Sequence, residues 1–107
     1  MKSWEIWSWT PPGWTTTHPV VIVSNPGRVA NKANVNVLGC SSQRANRPPL
    51  ADELVLDSAD GLDWATLCRC DELFHVAKAD LKDRRGQVSP ERRRFIIATI
   101  NRAMGWV

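Results

Sequence analysis

The chain has only two imidazoles, His18 and His75. An imidazole takes up or releases a proton near neutrality, so each is a candidate general acid or base. His18 stands in "TTTHPVVIVSN", at the polar mouth of the four β-branched residues Val20–Val23. His75 closes "LCRCDELFH", just after Asp71 and Glu72. Those carboxylates can supply a base beside His75, or simply pair with Arg69. The bland alternative is that both histidines are surface residues at strand ends. A second group is "SSQRANR", where Ser41, Ser42, Gln43, Arg44, Asn46 and Arg47 are polar or cationic. Hydroxyls and amides there can read exposed base edges and phosphates, while a plain solvated loop would need the same composition. Arg28 and Lys32 extend the set of loop cations.

Most of these residues lie at the ends of short apolar stretches that read as strands. Ser3–Trp9 is rich in strand formers, and "TPPGWTTT" after it is a loop. "HPVVIVSN" has no polar alternation, so it reads as a strand buried on both faces. "PGRVANKA" reads as a turn and "NVNVLGCSS" as a third strand, with Gly39 marking a bulge or a close backbone approach. "ELVLDS" is a short strand, and "WATLCRCDELFHV" supplies another through Cys70 with an extension to Val76. "AKADLKDRRGQV" suggests a helical turn and a small final strand near Arg85–Val88. The clearest element follows. Ser89 is placed to N-cap a helix that has Pro90 in its first turn, and Gly105 stops it. Phe95, Ile96, Ile97, Ile100, Ala103 and Met104 follow helical spacing, with Arg92, Arg93 and Arg102 on the opposite, solvated face. Five or six short strands and one C-terminal helix predict a mainly β domain over residues 1–107, a bent sheet or open barrel closed by the helix.

Charge and cysteine usage narrow the setting. The net charge is +3, and residues 1–47 carry five Lys/Arg against the single acid Glu5. A basic first half hints at a polyanionic partner. The apolar runs are far shorter than the roughly 20 residues that cross a bilayer, and "MKSWEIWSW" lacks the apolar run of a signal peptide. Three cysteines, an odd count with Cys68 and Cys70 only two apart, argue against a disulfide framework or a zinc site and for a reduced, cytoplasmic protein. On a strand, Cys68 and Cys70 would face the same way, as small buried hydrophobes. Of six tryptophans, Trp4, Trp7, Trp9 and Trp14 crowd the first fourteen residues, as core caps, interface residues or stacking surfaces for bases.

Three collinear stretches resemble the MazF/PemK family of toxin endoribonucleases. "WEIWSWTPPGW…THPVVIVSN" is similar to a first strand Gly-Glu-Ile-Trp, a loop, and Arg-Pro-Val leading into an apolar strand that ends Ser-Asn. "LCRCDELFHVAKADL" is similar to Cys-Asp-Gln-Ile-Arg-Thr-Val-Asp-Lys-x-x-Leu. "GQVSPERRRFIIATINRAMGWV" is similar to Gly-x-Leu-Ser-Pro-Glu and a helix stopping at Leu-Gly-Leu. The resemblance implies an SH3-like small barrel of the CcdB/MazF/PemK type with a C-terminal α-helix, usually a homodimer. It also implies cleavage of single-stranded messenger RNA without a metal or other cofactor. A further implication is neutralisation by an antitoxin whose extended, often acidic tail crosses the active face.

The departures fall on the chemistry. His18 replaces the arginine of the family's Arg-Pro step, Phe74 replaces its second arginine, and His75 replaces the threonine after it. Ser41 matches the strand-three hydroxyl. Metal-free cleavage needs a base for the 2′-hydroxyl, an acid for the leaving 5′-oxygen and donors on the phosphate. One expectation is therefore a relocated site in which His18 and His75 are base and acid, with Ser41 or Ser42 donating to the phosphate. Arg28, Ser42, Gln43, Arg44 and Arg47 would then hold the RNA. The alternatives are a weak or inactive member that acts by binding, or a gyrase poison of the CcdB type using Trp106 near the C-terminus.

Overall fold

The computed structural model describes residues 1–106. Six strands form one antiparallel sheet: β1 (Glu5–Trp9), β2 (His18–Ile22), β3 (Asn34–Cys40), β4 (Glu53–Leu56), β5 (Thr66–Ala77) and β6 (Leu81–Gln87), in the order β4-β5-β3-β2-β1-β6. The helices are α1 (Pro26–Asn31) and α2 (Pro90–Met104). Among the described residues no helix is long and apolar enough to cross a membrane.

β2 explains why the sheet has two apolar faces. Its side chains alternate, so Val21 joins Ile6, Leu38, Leu56, Cys68, Cys70 and Ile96 in one core. Val20 and Ile22 join Trp9, Val35, Val37, Val76 and Leu81 in the other. The first core lies under α2, which reaches it through Ile96 and Ile100. The cysteines behave as read: Cys40, Cys68 and Cys70 are free, buried thiols in that same core. The Cys40 sulfur, first, and then burial push the Cys68 thiol well up, which keeps it protonated and inert.

Several expectations are corrected. "PGRVAN" is a helix, not a turn: the Asn25 side chain accepts from the Arg28 N–H at 2.9 Å, and Pro26 fits the first helical turn. β6 begins at Leu81, well before Arg85, because an edge strand with one wet face tolerates "KDRR". α2 starts after Ser89 and stops at Gly105 as read, but the Ser89 hydroxyl makes no cap bond. Instead the Ser89 N–H donates to Asp60 Oδ1 at 2.9 Å. Phe95 and Ile97 are exposed, although their spacing placed them with the core stripe. Arg92 is part-buried and ion-paired rather than free in solvent. It grips Asp57 through two bonds, 3.0 and 3.1 Å, and also donates to the buried Asp60, tying the β4–β5 connection to the helix start.

Candidate functional site

The site forms where three segments converge: the β1–β2 loop, the end of β3, and an irregular stretch of β5. The loop is built by "PPGW". Trp14 N–H donates to the Pro11 carbonyl at 2.9 Å, and Gly13 takes a φ of +82° between them. Those features match a type II turn with Pro12 and Gly13 at its centre. The turn folds Trp14 back edge-on over His18, their ring centroids 5.5 Å apart. His18 opens β2 opposite Trp9. Its ring is half-buried, and its Nε2 is shut from solvent without a hydrogen-bond partner in the protein.

β5 supplies the opposite side through a bulge. Leu38 pairs with Leu73 and Cys40 with Cys68, so two steps along β3 face five along β5. The bulge changes the strand's parity. Before it, Cys68 and Cys70 enter the helix-side core and Arg69 faces the other way; after it, Glu72 and Phe74 face the site. Gly39 makes this possible. A Cβ there would stand 3.0 Å from Phe74 Cε2 and 3.1 Å from Glu72 Oε2, so both side chains fold across the bare strand.

Two concavities result. An aromatic slot of about 350 Å³ lies between Trp9, Trp14, His18 and Phe74, with Glu72 and Arg69 also in its lining. A polar hollow of about 250 Å³ is lined by Ser41, Ser42, Gln43, Arg44, Arg47 and, again, His18 and Arg69. His18 and Arg69 are therefore common to both. Arg69 lies 3.8 Å from both Glu53 and Glu72, beyond hydrogen-bond length. Its guanidinium makes no hydrogen bond among the described residues.

The structure brings together His18, Ser41, Ser42, Gln43, Arg44 and Arg47, but gives them unequal freedom. Ser41 Oγ accepts from Leu67 N–H at 3.0 Å and contacts Thr66 Oγ1 at 2.8 Å, while Thr66 Oγ1 donates to the Ser41 carbonyl at 2.7 Å. It is a latch between β3 and β5 rather than a loose donor. Arg47 holds the buried Glu53 with both prongs, at 2.7 and 2.9 Å. That bond leads the effects that bring the Glu53 carboxyl down to about 2. Arg44 is poised over the Trp64 ring at 5.9 Å and keeps its charge at the rim.

His75 and Arg28 are not brought to this site. His75 pairs with Asn36, whose side chain, with Leu73 and Arg28, lines a groove on the helix side of the sheet. The two histidines thus point to opposite faces, and they do not form a pair. The reason is strand parity after the bulge. The sequence reading weighed Glu72 only as a base beside His75 or a partner of Arg69 and did not place Arg69 in the site. Arg69 faces the site by ordinary alternation with Cys68 and Cys70, and the bulge brings Glu72 onto the same face. Among the described residues no cluster of three or more His, Cys, Asp or Glu is arranged to hold a metal.

The chain superimposes over its full length on an endoribonuclease from a mycobacterial species solved with its cognate antitoxin. The TM-score is 0.85 at 20% identity, covering 100% of this chain and 97% of that one. The chain has the MazF fold. The Mycobacterium tuberculosis toxin MazF-mt6 is similar at TM-score 0.80 and 20% identity, over 94% of this chain and 96% of that one. A MazE–MazF complex from Deinococcus radiodurans gives 0.73 at 9% identity, over 100% of this chain and 98% of that one. No protein-family model and no curated protein matches the sequence. Within the MazF fold, then, the site described here is built from this chain's own residues.

Proposed function

We propose that the chain, as one domain over residues 1–107, is the toxin of a toxin–antitoxin pair and cleaves single-stranded RNA without a metal. The observation that carries this reading is the position of His18 and Arg69. A proton-transfer group and a guanidinium held only by two loose ion pairs at 3.8 Å line both the aromatic slot and the basic hollow, on a fold it shares with an antitoxin-bound endoribonuclease. His18 takes the proton from the 2′-hydroxyl. The 2′-oxygen then bonds to phosphorus as the bond to the 5′-oxygen breaks, leaving a 2′,3′-cyclic phosphate, and the 5′-oxygen takes a proton from water. Arg69 stabilises the charge that builds on the phosphoryl oxygens. Ser42, Gln43 and Arg44 hold the neighbouring nucleotide, while Ser41 and Arg47 keep the loop in place.

The rest of the reading follows from the surface. An acidic antitoxin tail lying over the rim of Arg44 and Arg69 would block the site. The exposed Leu73, Ile97 and Trp106 border one helix-side groove and suit contact with a second copy, giving a homodimer. That assigns Trp106 to an interface rather than to gyrase. Three free thiols suit a reducing cytoplasm. The test is cleavage of a fluorogenic single-stranded RNA in EDTA, followed by analysis of the product ends. Cyclic phosphate ends that vanish in His18→Ala support the reading. An inert wild-type chain, or cleavage that needs added metal, overturns it.

A further inference from the structure

We propose that the slot between Trp14 and Phe74 is a nucleobase subsite that selects guanine. The inference rests on the RNA reading above and names the base that sits beside the scissile phosphate. Two aromatic pairs line the slot: Trp9 with Phe74, centroids 5.3 Å apart, and Trp14 with His18. Trp14 is 61% exposed and Phe74 39%, so ring surface is left open to a ligand. A flat heteroaromatic ring covers such surfaces by stacking. Phe74 occupies the place where the MazF/PemK-like sequence pattern has an arginine.

Polar groups in the lining decide what kind of ring fits. An aliphatic or phenyl side chain would give nothing to the Glu72 carboxylate. A base offers it edge donors. Glu72 lies only loosely against Arg69, at 3.8 Å, and its side chain is 43% exposed, so its two oxygens remain able to accept. Guanine presents N1–H and the exocyclic N2 amino group side by side, two donors to two carboxylate oxygens. Adenine and cytosine set a lone pair beside their amino group, and uracil flanks its single N–H with two carbonyls. Each of these places an acceptor against the carboxylate. Gly39 leaves room for the arrangement, because a Cβ there would press on Phe74 Cε2 and Glu72 Oε2 at 3.0 and 3.1 Å. Arg69 then meets the phosphate that follows the base, and His18 meets its ribose.

The test is binding of short 2′-O-methyl oligoribonucleotides, which cannot be cleaved, differing at one position by G, A, C, U or inosine. Fluorescence anisotropy should rank G first, about 10- to 100-fold tighter than A, with inosine, which lacks the amino group, between them. Glu72→Gln should bring G down to the level of the others. Trp14→Ala should weaken every base by about 5- to 100-fold. Both side chains are well exposed, and circular dichroism would confirm that the variants fold. Equal affinity for all bases, or a preference for G that survives Glu72→Gln, overturns the subsite. Guanine-selective binding without cleavage of the matching RNA would keep the subsite and remove the nuclease reading. Cleavage without regard to G would do the reverse.

Discussion

Replacing His18 by alanine separates catalysis from folding, because the structure gives opposite expectations for the two. The ring is half-buried against Trp14, and its Nε2 is buried with no partner. Removing a buried, unpaired polar atom returns about 1–3 kcal/mol. Losing the ring's packing takes back a similar amount, since truncating a half-buried side chain forfeits about 1–2 kcal/mol of burial. The net change in stability is within about 1 kcal/mol, a shift in Tm of less than about 8 °C. The rate is expected to fall far more. General acid–base catalysis contributes about 10²- to 10⁴-fold, or about 3 to 5 kcal/mol of barrier. The assay is single-turnover cleavage of a fluorogenic RNA in EDTA across pH. Wild type should show a pH limb that His18→Gln removes, and added imidazole should restore part of the His18→Ala rate by entering the vacated space. His75→Ala is the internal control, since that ring faces the other side of the sheet. A His18→Ala rate within threefold of wild type, or an equal loss in His75→Ala, would refute the reasoning.

Other expectations concern the scaffold. Arg47→Ala should lower Tm yet leave the salt dependence of RNA binding unchanged, because its fork is already on Glu53. Arg69→Ala should reduce that slope by about one ion. Glu53 is held at about 2, below its ordinary 4.5, so its contribution is complete above about pH 5 and is lost as pH falls toward 2. Thermal melts of Glu53→Gln should show a lower Tm at pH 7 and a weaker fall between pH 5 and pH 2. Gly86→Ala puts a Cβ 2.1 Å from the Asp60 carbonyl oxygen, where backbone must move. It should cost about 2 kcal/mol, seen as a Tm fall of roughly 8–15 °C. Ile97→Glu should convert a dimer to a monomer in sedimentation, with little change in far-ultraviolet dichroism.

What the sequence made legible follows from how local each signal is. Four β-branched residues without polar alternation specify a strand buried on both faces, and β2 is that strand. Gly105 stops α2 in the left-handed region, at φ +72°. Signals that depend on distant partners stayed hidden. Nothing in "PERRR" reveals that Arg92 grips two carboxylates more than thirty residues upstream. Nothing in "LCRCDELFH" reveals how β5 meets β3, and that pairing decides which side chains share a face. For this reason His75 was placed with His18, and Glu72 was weighed beside His75 rather than beside the aromatic slot. Gly39 was the one local hint, since a glycine inside an apolar strand signals close approach.

The bulge in β5 decides which charged side chains share the site. With a regular β5, Arg69 and Glu72 would lie on opposite faces, as residues an odd number apart do on a strand. The extra residues bring Glu72 onto the face that Arg69 already occupies, so a carboxylate and a guanidinium share the site. On the proposed reading, Arg69 supplies the cationic charge at the phosphate, His18 handles a proton and Phe74 stacks on a ring. Restoring arginine at Phe74 therefore should not raise cleavage. It would place a second guanidinium beside Arg69 and remove the stacking face, lowering affinity for single-stranded RNA despite the added positive charge.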